Sequence, residues 1–251
     1  MPRVRLDTLL VERGLVPSRE RARALILAGL VKVNGNPAGK AGERVPADAN
    51  LALVEPDHPY VGRGGIKLAH ALDVFGIDAH GCAALDIGAS TGGFTDVLLR
   101  RGATRVVALD VGRGQIDWKL RSDPRVVVVE GVNARTLTPD QLPGPFDLLT
   151  IDVSFISLKH ILPVVPPLIT QHADVVALVK PQFEAGRHEV GKGGLVKKPA
   201  VHQRVIDEVV AKASEVGLEH LETTESPVTG ASGNREFFVH LRRSLKRAST
   251  T

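Results

Sequence analysis

Four charged residues occupy places where charge is awkward unless it is used. Lys67 lies at the start of a helical stretch, Asp152 ends the apolar run LLTIDVSF, Lys180 ends VVALVKPQF, and Glu236 starts EFFVHL. Two lysines and two carboxylates suit a proton transfer from a weakly acidic group. A lysine that is partly desolvated and near a second cation gives up its own proton more readily and can then accept another. The carboxylates orient the lysines and keep the cluster from being a bare positive patch. Singly, each is better read as an ordinary surface, strand-end or strand-start charge, but chance is a poor account of all four fitting one cluster. No metal is required, and none of the nine histidines has ligand spacing.

The second feature is the stretch DIGASTGGF, residues 86–94. A dinucleotide site wants Gly-x-Gly-x-x-Gly, which admits a pyrophosphate at a helix N-terminus. Here the spacing is Gly-x-x-x-Gly-Gly, and Asp86 precedes the first glycine by two places. An acid beside the loop repels a pyrophosphate and suits a cation. S-adenosylmethionine (SAM) carries an ammonium and a sulfonium and no phosphate. The expected cofactor is therefore SAM, seated by Asp86, Gly88, Ser90, Thr91, Gly92, Gly93 and Phe94, with Asp152 nearby. Asp110, ending VVALDVG, can accept from both ribose hydroxyls. Asn133, in VEGVNAR, either contacts the adenine edge or is a turn residue.

These residues need a scaffold that brings strand ends together. From residue 82 onward, runs rich in β-branched residues (CAALDIG, RVVALDVG, RVVVVEGVNA, PFDLLTIDVSF, ADVVALVKPQF) alternate with helical stretches (TDVLLRRG, QIDWKLRSD, LKHILPVVPPLI, KPAVHQRVIDEVVAKASEVG). Such alternation predicts an α/β fold with a parallel sheet covered on both faces. LEHLETTESPV and REFFVHLRR close as a hairpin pair, which makes one strand antiparallel. The start of that strand then lies beside the carboxyl ends of its neighbours, on the same edge as DIGASTGGF. The single Cys82 excludes an internal disulfide and is expected to be a small buried residue at a strand start. No run approaches the roughly 18 apolar residues of a membrane span, and MPRVRLDTLL does not read as a signal peptide. The expected location is the cytoplasm.

The net charge of +4 is uneven. Residues 1–46 hold nine Lys/Arg against four Asp/Glu, and the remainder is close to neutral. In this part RLDTLLVER and SRERARALILAGL are helical, Ser18 is a candidate cap, and VKVNGNPA holds an Asn-Gly turn. Arg19, Arg21 and Arg23 lie off the apolar face. The stretch SRERARALILAGLVKVNGNPAGKAGERV resembles the S4 RNA-binding domain. That resemblance makes Arg3, Arg5, Arg19, Arg21, Arg23, Lys32 and Lys40 the expected RNA-binding residues. The expected division is a small α+β S4 domain over 1–57, a linker over 58–65, a Rossmann-like SAM-dependent methyltransferase domain over 66–243, and a disordered tail over 244–251.

The order Lys67–Asp152–Lys180–Glu236 resembles that of the FtsJ-like RNA 2′-O-ribose methyltransferases, whose acceptor hydroxyl is a weak acid. That resemblance makes Lys180 the expected base, Lys67 and Asp152 the groups that position hydroxyl and methyl donor, and Glu236 the anchor of the network. From about residue 3 to 243 the chain is similar to the TlyA family, described both as haemolysins and as ribosomal RNA cytidine 2′-O-methyltransferases. The stretches that carry this are SRERARALILAGLVKVNG, GRGGIKL, DIGASTGGFTDVLL, DVGRGQ, DPRVVV, NAR, DLLTIDVSFISL, LVKPQFE and SGNREFF. The resemblance implies cytidine in ribosomal RNA as substrate, and ribosomal subunits or the intact ribosome as partner. One departure is Tyr60, where some members have Trp, with Asp57-His58 in place of a nearby basic residue. Rival readings are an amino-group methyltransferase, for which DVSF replaces the expected Asn/Asp-Pro-Pro-aromatic motif, a membrane-lytic protein, and a catalytically dead RNA-binding module.

Overall fold

The computed structural model describes residues 3–16, 18–27, 29–54, 58–230 and 232–244. Strand β1 (Arg3–Arg5) runs straight into helix α1 (Leu6–Glu12), and α2 (Arg19–Leu27) packs against α1. Ser18 caps α2, its Oγ accepting from the Arg21 N–H at 3.2 Å. β2 (Val31–Val33) and β3 (Asn36–Pro37) turn at Asn34-Gly35, whose φ values of 51° and 82° are those of a tight hairpin. β4 (Arg44–Pro46) pairs with β1, and β5 (Leu51–Leu53) with β2. β1 is too short and too charged to show in the hydrophobic pattern. Leu6, Leu10, Ala22, Ile26, Val31 and Val45 give this part its own small core.

α3 (Gly64–Phe75) begins before Ile66, the expected start, and takes in Gly64 and Gly65. There follow β6 (Ala83–Ile87), α4 (Gly93–Arg100), β7 (Arg105–Asp110), α5 (Trp118–Arg121), β8 (Val126–Glu130), β9 (Phe146–Ile151), β10 (Ile169–Val179), α6 (Pro181–Glu184), α7 (Pro199–Glu215), β11 (Leu218–Glu225) and β12 (Phe237–Arg243). Seven strands form one sheet in the order β11-β12-β10-β9-β6-β7-β8. Only β12 runs against the others in this sheet. Two buried clusters fill its faces. One gathers around Leu85, Leu149, Val175 and Val179, the other around Leu68, Leu98 and Phe238.

Three expectations change. The helix expected over QIDWKLRSD is the single turn α5, because Asp117 caps it late and Pro124 forbids its continuation. LKHILPVVPPLI is three successive 3₁₀ turns (Leu158–His160, Leu162–Val164, Pro166–Leu168), since Pro163, Pro166 and Pro167 lack the N–H groups that an α-helix needs. Cys82 lies just before β6 and is half-buried, its Sγ 3.6 Å from the Asp78 carbonyl. Residues 245–251 of the expected tail lie outside the described residues.

Candidate active site

The parallel strands β6, β7, β9 and β10 end on one edge, and each delivers a residue there: Gly88, Asp110, Asp152 and Lys180. Gly88 has φ +88°, and a Cβ on it would collide with the Asp152 carbonyl oxygen. Only glycine lets the first turn cross so close to the end of β9. Gly93 is tightly packed too, with Gly65 N 3.0 Å from its would-be Cβ. The glycines of GRGG and TGG thus press the starts of α3 and α4 together, which brings Lys67 to the turn.

Two adjoining cavities open on this edge. The larger, about 520 Å³, is lined by apolar Ile87, Leu109, Val132, Val153, Ile156 and Ile161, and by Ser90, Asp110, Asn133 and Asp152. The smaller, about 160 Å³, is lined by Gly88, Ser90, Thr91, Gly93, Phe94, Lys67 and Asp152. Gly88, Ser90 and Asp152 belong to both. Asp110 shapes the turn, accepting from the Ser90 N–H at 2.8 Å and from the Gly112 N–H at 2.6 Å. The residues fit SAM: an apolar slot for adenine, Asp110 at its rim for the ribose, and a small polar pocket with a carboxylate for the cationic end.

Asp86 and Gly92 do not line either cavity. Asp86 is wholly buried and accepts from Thr95 Oγ1 at 2.7 Å and Thr150 Oγ1 at 3.0 Å. Burial pushes its carboxyl up to about 7, against the pull of the two hydroxyls. Its side chain points into the protein because alternate residues of a strand face opposite ways and the turn begins only after Ile87. Asp86 is therefore a staple joining β6, β9 and α4, and Asp110 and Asp152 are the carboxylates that line the cavities. Gly92, at φ +95°, is set against Leu120 of α5. Asn133 is exposed and caps a 3₁₀ turn, its Oδ1 accepting from the Arg135 N–H at 3.0 Å, while also edging the larger cavity. Gln115 is a site residue that sequence reasoning misses. It accepts from Ser90 Oγ at 3.4 Å and lines the larger cavity. Its place after the glycine turn that follows Asp110 is the signal that could have found it.

The four charged residues form two partly buried ion pairs. Lys67 Nζ is 2.6 Å from Glu236 Oε2, with side chains 11% and 3% exposed. Lys180 Nζ is 2.5 Å from Asp152 Oδ1 and donates to Ser154 Oγ at 2.9 Å. The Lys180–Asp152 contact is close but not aligned as a hydrogen bond, which leaves Asp152 Oδ1 without one. Lys67 and Asp152 line the smaller cavity together; Lys180 and Glu236 stand behind them as their partners. Glu236 sits just ahead of β12 rather than within it. Beyond Asp152 the chain turns at Phe155, which has φ +64° and is 91% exposed, its ring 5.1 Å from that of Phe183.

The N-terminal cations divide into three groups. Arg5, Arg19 and Arg23 all reach the buried carboxylate of Asp7. Arg21 does not face away from the rest of the protein: its Nη1 pairs with Asp117 Oδ2 at 2.9 Å, ahead of α5. Arg3 is exposed and donates to the Arg44 carbonyl, while the side chains of Lys32 and Lys40 are exposed. The end of α2 reaches the cleft, and Leu27 borders both cavities. The linker is anchored as well. The Val61 N–H donates to Asp96 Oδ2 at 3.0 Å, and the Arg100 guanidinium lies 5.8 Å over the Tyr60 ring. Asp57 lies outside the described residues.

Comparison with known proteins agrees with this architecture. The FtsJ-like methyltransferase family matches residues 60–243, and the S4 domain family matches residues 4–51. The 16S/23S rRNA (cytidine-2′-O)-methyltransferase TlyA of Mycobacterium tuberculosis is 48% identical over 247 residues, covering 98% of this chain and 92% of the relative. A solved structure bearing a hemolysin name, from Streptococcus thermophilus, is 43% identical with a TM-score of 0.76, covering 98% of this chain and 90% of that one. A SAM-dependent methyltransferase from Mesorhizobium loti shares the fold at 15% identity and a TM-score of 0.54, covering 69% of this chain and 96% of that one. The chain belongs to the FtsJ-like methyltransferase family and, within it, to the TlyA group, with an S4 domain ahead of the methyltransferase fold.

Proposed function

We propose that this methyltransferase transfers the methyl group of SAM to a ribose 2′-hydroxyl of ribosomal RNA, at cytidine, in ribosomal subunits or the intact ribosome in the cytoplasm. The observation that carries the reading is the pair of Lys–carboxylate contacts, Lys67–Glu236 and Lys180–Asp152, each with one member, Lys67 or Asp152, lining the cavity that the glycine turn completes. SAM supplies an electrophilic methyl on a sulfonium. The protein supplies position and a route for the proton. Lys180 first passes its own ammonium proton on, and its neutral Nζ then takes the hydroxyl proton as the oxygen takes the methyl group. Asp152 and Ser154 hold Lys180, and Glu236 holds Lys67 toward the acceptor oxygen. With both lysines fixed, the acceptor is held in line, which accounts for much of the rate. Exposed Phe155 offers a face for a splayed-out base. Residues 1–57 are the RNA-binding domain in this reading, and the catalytic domain runs to residue 243.

The relatives' names support rRNA and cytidine, and the family supports ribose chemistry. No helix among the described residues is long and apolar enough to cross a membrane. The test is to incubate the protein with ribosomal subunits and tritiated SAM and map 2′-O-methyl sites. Incorporation at cytidine is expected. Lys180→Ala should lower transfer by roughly 10²–10⁴-fold, the usual worth of a positioned base, with SAM and RNA affinity retained. Intact SAM binding with no incorporation into any rRNA would overturn the function; a fully active Lys180→Ala would overturn the base.

A further inference from the structure

The Asp7 carboxylate is out of contact with solvent, yet it accepts from three arginines that are themselves close to half exposed. Oδ2 accepts from Arg5 Nη2 at 2.9 Å, Arg19 Nη2 at 3.0 Å and Arg23 Nε at 3.3 Å. Oδ1 accepts from Arg5 Nε and from the Thr8 N–H, both at 3.0 Å, and from Thr8 Oγ1 at 3.4 Å. The three guanidinium groups hold this carboxylate well below the usual range, so it stays charged. Arg5 comes from the end of β1, whereas Arg19 and Arg23 lie one turn apart on α2. A single anion therefore gathers cations from two elements. Three positive charges against one negative leave an excess, which Glu20 beside them, held by Ser18 and its own backbone, reduces but does not cancel.

Each guanidinium has five donors in a rigid plane. Arg5 spends two on Asp7, and Arg19 and Arg23 one each. The side chains that carry the remaining donors are close to half exposed. Arg23 also borders a cleft of about 130 Å³ shared with Glu20 and Ala41 and, from the methyltransferase domain, Arg113 and Gln115. We propose that Asp7 is a positioning residue for RNA: it gathers Arg5, Arg19 and Arg23, RNA-binding residues by the S4 resemblance, into one preassembled site for a phosphodiester. The proposal rests on the RNA-directed reading above and deepens it. Planar forks match phosphate oxygens in pairs. Fixing them beforehand removes the ordering cost that free surface arginines meet on binding. Arg21, turned to Asp117, is not part of the site.

Asp7→Asn gives the test its sign. It adds one positive charge to the domain, so a diffuse basic patch would bind RNA more tightly. A preassembled site loses its organiser and binds more weakly. Measured by filter binding with radiolabelled rRNA, the variant should bind about fivefold more weakly near physiological salt. The slope of log affinity against log salt should flatten by roughly 0.7–0.9, the worth of one phosphate contact. SAM affinity should not change. Equal or tighter binding by a folded Asp7→Asn overturns the site. If circular dichroism shows that this variant fails to fold, Arg19→Lys/Arg23→Lys decides. It keeps every charge and removes two of the three forks, so weaker binding supports the site and unchanged binding overturns it. A wild-type protein that binds no rRNA overturns the RNA reading and this site with it, whereas normal wild-type binding with unaltered variants overturns the site alone.

Discussion

Replacing Asp86 by Asn separates two roles for the residue that opens the glycine loop. As a cofactor ligand, Asp86 would be charged and its loss would weaken SAM binding. In the structure it is a wholly buried carboxyl between two threonine hydroxyls, pushed up from 3.8 to about 7. A raised acid of this kind contributes stability that is fully present below the unfolded value of 3.8 and is lost as pH rises through about 7. The full span of about three pH units is worth about 4 kcal/mol at roughly 1.4 kcal/mol per unit. Between about pH 5.5 and 8.5 half of that, about 2 kcal/mol, remains to be lost. Asparagine carries no charge and can still meet both hydroxyls, so it escapes the loss. The Tm of Asp86→Asn relative to wild type should therefore rise by about 4–8 °C between those two pH values. Taking the difference between the proteins cancels every other titrating group. Differential scanning calorimetry at both pH values, with SAM titration alongside, is the assay. A constant Tm difference would refute the burial argument. A large loss of SAM affinity in a stable variant would restore Asp86 to the cofactor.

Two further perturbations address the site itself. Lys67→Met leaves the Glu236 carboxylate, 3% exposed, without its partner and should cost about 3 kcal/mol or more in denaturant melts. Lys67→Met/Glu236→Gln should recover most of that stability and none of the transfer; recovery of activity would remove the pair from the chemistry. Phe155→Ala should leave Tm unchanged, because the ring is 91% exposed. It should raise KM for rRNA about tenfold if a base stacks there at the usual 1–3 kcal/mol, and an unchanged KM would refute the stacking role.

Much of the fold was legible in the sequence for a physical reason. Strands buried on both faces must be near-continuous apolar runs, and the alternation from Cys82 to Glu215 could only wind into a parallel sheet. The strand-end position of Asp110, Asp152 and Lys180 followed from that pattern, because a ligand edge is set by strand direction. The residue types of the tetrad and the Asn-Gly hairpin were local facts of the same kind. What one-dimensional pattern does not encode is where a side chain points and which distant charge it meets. Asp86 and Gly88 are two residues apart, yet one is sealed in the core and the other lines both cavities. The proline-broken stretch after Leu158 looks helical until missing N–H donors are counted. Arg19, Arg21 and Arg23 look alike in sequence. Tertiary packing sends Arg19 and Arg23 to Asp7 and Arg21 to Asp117, because alternate positions on a helix face different neighbours. The order of residue types thus set the chemistry available and the sheet that carries it. Which charges meet was left to folding, since that depends on contacts between residues far apart in the chain.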